Sequence, residues 1–313
     1  MKTSIVIAAH NEGERLLRTV ESVREVALIL RMEVIVADDA SSDGSIDELR
    51  RRFGEVRVVG NRERLGPSPT KDLGARAANG EILIFLDGHT KPEDGALLRL
   101  ADRVEEAHGE AIFTPRVLLL DADTWVNQPT GVGLGHRMTF PAFERDWIGS
   151  RELRRRGAFY ESPSLCGCAL AISRELYEEL CGFDPDMREW GLEDLDLGVK
   201  CWLRDRPVLV DPLAAVGHQF RAKFPYQVSV EHVLANKMRT ARKNFTDRTF
   251  GEWCKVLREQ YCEETWALAE AVYRSREESV ERERKHLLAR RVHDEFWYAR
   301  RFGLGWPTCN GSK

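Results

Sequence analysis

The chain has 313 residues, of which 42% are apolar and 31% charged, and a formal net charge of −4. That composition belongs to a soluble globular protein with one large core or two smaller ones, and it argues against disorder. No apolar run approaches the roughly 20 residues needed to span a bilayer, and the opening "MKTSIVIAAHNEGER" has too short an apolar segment for a signal peptide, so a cytoplasmic location is expected.

In chain order, "TSIVIAAH" and "EVIVADDA" are short β-branched runs that predict strands. Between them "NEGERLLRTVESVREVALIL" has the apolar spacing of a helix, so the three form a β-α-β unit. "SSDGSIDELRRRF" predicts a second helix with Ser and Asp as capping candidates. "VRVVG" predicts a third strand, "SPTKDLGARAANG" a helix ended by Gly80, and "EILIFLD" a fourth strand. "AIFTPRVLLLD" and "SLCGCALAIS" read as further strands, followed by "RELYEELCGF" as a helix. Cys166 and Cys168 alternate as strand residues do and are expected to be reduced packing residues. The cysteines at 166, 168, 181, 201, 254, 262 and 309 lack paired CxxC spacing, which suggests neither a disulfide framework nor a zinc ribbon. From about Val228 the pattern changes to long charged helices with interspersed Trp, Tyr and Phe, and the tail from Arg221 onward is more basic than the rest.

Strands alternating with helices predict an α/β domain over residues 1–227, a mostly parallel sheet with helices on both faces, and a helical C-terminal extension over 228–313. Ligands of such sheets bind beyond the carboxyl ends of the strands. Asp38 and Asp39 end the second strand; Asp87 and His89 end the fourth, so both pairs should share one rim. For Asp39, a helix N-cap is the structural alternative. Asp87 and His89, one residue apart on a turn, can both ligate a divalent cation, with a third ligand from elsewhere.

Several motifs occur in a family's order. "DGH" at Asp87 to His89 resembles a metal-binding Asp-Ser-His. "PSLCGCALAISRELYEELCGFDPDMREWGLEDLD" resembles a Gly-Gly strand followed by Tyr-Asp-Pro-Gly-Met and Trp-Gly-Gly-Glu-Asn, and "GHQFRAKFPY" resembles a His-Val-Phe-Arg lid loop. Residues Ser4 to Tyr226 thereby resemble the GT-A fold glycosyltransferases of family 2 type, and among them the catalytic domain of polypeptide N-acetylgalactosaminyltransferases. The resemblance implies a UDP-sugar donor, Mn²⁺ or Mg²⁺ as cofactor, and His218 as third metal ligand with Asp87 and His89. It also implies Arg221 and Tyr226 on the donor diphosphate and Asp39 and Lys71 near the base or phosphates. Ala8, Asn11, Glu12, Asp87, Gly88, Gly167 and Trp190 complete the expected donor site.

The chemistry fits these residue types, because a leaving diphosphate needs its charge neutralised by a cation and an Arg. In "REWGLEDLDLGVKCW" the carboxylates favour the positive end of a helix dipole. They also resemble the Trp-Gly-Gly-Glu-Asp of inverting galactosyltransferases, which makes Asp194 the candidate base, with Asp196 as fallback, and Glu193 the partner of sugar hydroxyls. The polypeptide transferases retain configuration and carry Asn where this chain has Asp194, so inversion is expected. Cys168 replaces their second strand glycine near the sugar, and no lectin domain is expected. The acceptor stays open among peptide, glycan, small molecule and a hydroxymethylated base in DNA. The last is suggested by the cationic and aromatic runs "KMRTARKNFTDR" and "RRVHDEFWYARRF", for which a solvated helix face with inward aromatics is the plainer reading. A hydrolase or nucleotidyltransferase and a non-catalytic sugar-nucleotide-binding protein are the alternatives in other classes.

Overall fold

A computed structural model describes residues 1–221 and 226–305. The chain begins β1 (Thr3–Ala9), α1 (Glu14–Leu30), β2 (Glu33–Asp38), α2 (Ser45–Arg52), β3 (Arg57–Gly60), α3 (Pro67–Ala77), β4 (Ile82–Asp87), β5 (Thr90–Pro92), α4 (Ala96–Glu106) and β6 (Ile112–Leu120). Short strands follow as β7 (Asn127–Gly133), β8 (Gly135–Thr139), β9 (Glu144–Ile148), β10 (Arg154–Arg156) and β11 (Phe159–Glu161). Next come β12 (Ala169–Ser173), α5 (Arg174–Glu179), α6 (Glu193–Leu203) and β13 (Val208–His218). The helices α7 (Val230–Asn244), α8 (Asp247–Arg258), α9 (Glu263–Arg274), α10 (Glu277–Leu288) and α11 (Glu295–Phe302) end the described chain.

The main sheet runs β10-β11-β13-β6-β12-β4-β1-β2-β3, with β5 on β13 and β7 on β6. Strands β1, β2, β3, β4, β6 and β13 point one way, and β12 lies antiparallel between β4 and β6. Strand residues alternate between two cores, as a pleat requires. Val6, Leu83, Phe85, Leu170 and Ile172 face one side, with α3, α5, α6 and the C-terminal helices. Ile5, Ile7, Ile84, Leu86, Ala169 and Ala171 face the other, with α1, α2 and α4. Each such Leu, Ile or Phe contributes about 1.5–3 kcal/mol by leaving water.

The order β3-β2-β1-β4 places the switch in strand order between the parallel neighbours β1 and β4. Their following loops part there and leave a crevice, the place where open α/β sheets bind ligands.

The expected elements form, with local corrections. Helix α3 stops at Ala77 rather than reaching Gly80; Gly80 serves close approach, since a Cβ there would lie 2.5 Å from Ser4 N. Helix α2 starts after Gly44 in a left-handed conformation with no side-chain cap, and Asp43 instead accepts the Ser45 N–H at 3.0 Å. "SLCGCALAIS" forms a strand only from Ala169; Cys166 to Cys168 is a turn. The strands of 127–161 and the long β13 were not anticipated. The C-terminal helices share one core with the sheet, where Leu234, Met238 and Trp253 join Met187 and Leu195.

In that tail the cationic runs do not form an open surface. Arg239 and Lys243 are buried in ion pairs with Asp184, and Phe245, Trp253 and Tyr298 are buried. No helix among the described residues is long and apolar enough to cross a membrane.

Candidate active site

The crevice opens into a cavity of about 390 Å³ at the carboxyl ends of the strands. Asp87 ends β4, where its N–H reaches Cys168 C=O at 3.1 Å and the next N–H, of Gly88, reaches Ala8 C=O at 2.9 Å. His218 ends β13, and the antiparallel pairing of β13 with β5 sets it opposite Thr90, beside His89. Side-chain ligand atoms of Asp87, His89 and His218 consequently all lie within 4.8 Å of one another. Each of the three side chains is partly exposed to the cavity.

The charge state of this group suits cation binding. Burial alone would raise the Asp87 carboxyl, but Lys71 and the two histidines outweigh it and hold the group ionised, well below the usual range. Burial also pushes the His218 imidazole down from its ordinary value, keeping it neutral. Its buried Nδ1 has no partner among the described residues. A carboxylate and two imidazoles form a donor set for Mn²⁺ or another divalent ion of borderline hardness, with open positions left for oxygen ligands. His89 Nδ1 meets Glu12 at 3.1 Å, and Glu12 also pairs with Arg221, so a second layer orients the first.

Across the cavity, Gly191 (φ 106°) and Leu192 (φ 76°) turn the chain sharply into α6, whose first residues are Glu193 and Asp194. Buried Lys71 reaches Gly167 C=O at 2.9 Å, Asp87 at 3.3 Å and Glu193 at 3.4 Å, which ties both walls together. Burial works against its charge, yet the three carboxylates of Asp87, Glu193 and Asp194 keep it protonated. Glu193 is pushed up, chiefly by burial, against the pull of Lys71. Asp194 is held low: burial would raise it, and Arg145 with Lys71 more than offsets that. Asp194 Oδ2 accepts from Arg145 at 2.7 Å and from the Gly167 N–H at 3.0 Å, and Oδ1 accepts from the Leu195 N–H at 2.8 Å. The fallback Asp196 faces away into the protein, where it pairs with Lys200 and Lys243.

Of the residues singled out in the sequence, Ala8, Glu12, Asp39, Lys71, Asp87, His89, Gly167, Trp190, Glu193, Asp194, His218, Arg221 and Tyr226 line this one cavity. Asn11 and Gly88 do not line it. Asn11 ties the loop after β1 to Ser41 and Ser42, and Gly88 packs beneath that loop against Ala8 and Glu12. Asp39 lines the cavity and its oxygens accept from Asn61, Leu65 N–H and Gly66 N–H, so it also braces the 61–66 loop. Tyr226 lies under Arg64, 4.1 Å from guanidinium carbon to ring centre. The middle of the expected lid, residues 222–225, lies outside the described residues, as does Cys309.

Sequence reasoning missed the β8–β9 hairpin, which closes the cavity with His136, Arg145 and Trp147. The alternation His136 and Met138 buried, Arg137 and Thr139 exposed, was a signal for it.

Residues 4–181 match the family model for glycosyl transferase family 2. The chain belongs to that family. Human polypeptide N-acetylgalactosaminyltransferase 3 is 33% identical over 260 residues, covering 76% of this chain and 40% of that protein. Mouse polypeptide N-acetylgalactosaminyltransferase 6 is 34% identical over 238 residues, covering 72% and 38%. The chain thus spans about two fifths of the length of these curated relatives. Among solved structures, GalNAc-T7 with UDP, GalNAc and Mn²⁺ is similar in fold, with a TM-score of 0.69, 24% identity, and coverage of 87% of this chain and 54% of that one. A mannosyltransferase from Pyrobaculum calidifontis in complex with GDP-Man and Mn²⁺ gives a TM-score of 0.51 at 19% identity, covering 92% and 74%. The GT-A type fold expected from the motifs is therefore the fold found.

Proposed function

We propose that this protein is a metal-dependent glycosyltransferase that moves a hexosyl or N-acetylhexosaminyl group from a UDP-sugar to an acceptor hydroxyl with inversion. The observation that carries this reading is the placement of Asp87, His89 and His218 on one wall and Glu193 and Asp194 on the other, joined through Lys71. Membership of the family, and the likeness to GalNAc-T7 with its UDP and Mn²⁺, support the choice of ion and nucleotide. A divalent cation on Asp87, His89 and His218 would neutralise charge on the leaving diphosphate.

The remaining work falls to side chains. Arg221 and Tyr226 bind the diphosphate, with Arg221 exchanging Glu12 for phosphate oxygens. Glu193 and the Lys71 ammonium position sugar hydroxyls. Asp194, ionised at neutral pH, receives the acceptor's proton as the new C–O bond forms and the bond to the diphosphate breaks. Arg145 now occupies Asp194 Oδ2, so the acceptor hydroxyl takes that position during transfer. Residues 1–227 act as the catalytic domain, and the helices of 228–313 brace α6 through Lys243 and Asp196.

The test is a panel of sugar nucleotides with peptide, glycan, small-molecule and hydroxymethylated DNA acceptors, with and without chelator. Transfer should be chelator-sensitive, and the product should show the opposite anomeric configuration by NMR coupling. Retained configuration, or Asp194→Asn turning over near normally, would make Asp194 a structural group.

A further inference from the structure

Two thiols in the cavity wall take no part in the chemistry above. Cys166 is partly exposed and Cys168 buried; both are unpaired and both line the cavity. A strand would hold such neighbours apart along its axis. Here the chain turns at Gly167, with the Ala169 N–H reaching Cys166 C=O at 3.4 Å, and the sulfurs stand 3.3 Å apart.

Gly167 lies between them and carries two contacts of the site. Its C=O accepts from Lys71 and its N–H donates to Asp194. It has little room to move: an added Cβ would meet Asp194 Cβ and Lys71 Nζ, each at 3.1 Å. An S–S bond is about 2 Å long and demands its own torsion. Closing it across a three-residue turn must rotate the Gly167 peptide and disturb both contacts.

We infer that Cys166 and Cys168 are a redox-active dithiol, oxidised by a peroxide to a disulfide that displaces Gly167 from Lys71 and Asp194 and shuts the site. The accessible Cys166 thiolate attacks one peroxide oxygen, breaking the O–O bond, to give a sulfenic acid and a hydroxide that leaves as water. The Cys168 sulfur then attacks the Cys166 sulfur, expelling hydroxide, which takes the Cys168 proton and departs as a second water. Two thiols and one peroxide thus become one disulfide and two waters. Cys166 must react first, because it is partly exposed at the cavity while Cys168 is buried.

The experiment exposes the full-length protein to hydrogen peroxide, then follows mass and function. The tryptic peptide 157–174 contains these two cysteines and no other. It should lose the mass of two hydrogens, and metal-dependent UDP affinity or sugar-nucleotide turnover should fall about tenfold or more, both reversing with a thiol reductant. Cys166→Ser, compared with its own untreated rate, should change less than about twofold under the same exposure. The mass shift without functional change overturns the proposal, and so does functional loss with the peptide still at its reduced mass. Changed UDP affinity with the mass shift, but no transfer to any acceptor, would uphold the dithiol and count against the transferase reading instead.

Discussion

Two clusters of ionisable side chains lie on either side of α6 and are satisfied in opposite ways. Beneath the helix, Asp184, Asp196 and Glu283 face Arg239, Lys200 and Lys243, carboxylate matched to cation. Arg239 binds both oxygens of Asp184 at 2.8 Å, while Lys243 bridges Asp184 and Asp196 at 2.8 Å each. Nearly all of this is sealed from water. Above the helix, Asp87, His89 and His218 face the cavity, and His218 Nδ1 has no partner among the described residues. The saturated cluster pins α7 and α10 to α6. The open one brings ligand atoms of all three side chains within 4.8 Å of one another at the cavity, where a divalent cation is proposed.

The largest effect should come from the open side. Asp194→Asn removes the proposed base with little change of shape, and turnover should fall by about 10²–10⁴ while UDP affinity holds. Steady-state rates with nucleotide titration check this; loss of both would make Asp194 part of the packing instead.

On the saturated side, Lys243→Met leaves Asp184 and Asp196 short of one cation in a dry setting. The chain should lose about 3–5 kcal/mol of stability in urea unfolding, because an uncompensated buried charge costs more than a pair contributes. The folded fraction should still bind UDP with metal. Unchanged stability with lost binding would reverse the roles assigned to the two clusters.

A smaller effect concerns pH. Burial and Arg145 hold the His136 imidazole down to about 3 from its ordinary 6.5, so it is neutral in the folded state and protonates first in the unfolded one. Its contribution to stability is complete above pH 6.5 and is lost as pH falls from there toward 3. His136→Phe should therefore show a shallower fall of the urea midpoint between pH 6.5 and 5 than the wild type. Equal slopes would mean that His136 titrates normally and that the hairpin leaves the cavity wet.

Much of this was legible in the chain. The β-branched runs ending in Asp39 and Asp87 predicted strands that share a rim, since a parallel strand sheds its polar residues only where it leaves the core. His218 was placed by resemblance alone, because its partner β5 is three residues long and carries no periodic signal. Arg145 and Trp147 were missed for a related reason: β8 and β9 pair only with each other, outside the main sheet, so their pattern is short and half polar. Cys166 and Cys168 looked like alternating strand residues, and only the turn at Gly167, needed for the close approach of Lys71 and Asp194, changes that. In the cationic tail the inward aromatics were legible, and Phe245 and Trp253 are buried, but the ion pairs of Arg239 and Lys243 were not, since a composition of Arg, Lys and aromatics is the same whether the charges meet water or Asp184.

Asp87, His89 and His218 are proposed to hold a divalent cation for a nucleotide diphosphate. The direct measurement is Mn²⁺ titration by calorimetry, with and without UDP, of the wild type and of His218→Ala, with circular dichroism to confirm folding. Wild-type protein should bind Mn²⁺ and UDP with mutual enhancement, and His218→Ala should weaken Mn²⁺ by about 10–100-fold or more while staying folded. UDP binding of equal strength in both proteins, indifferent to Mn²⁺ and to chelator, would remove the cation from this site.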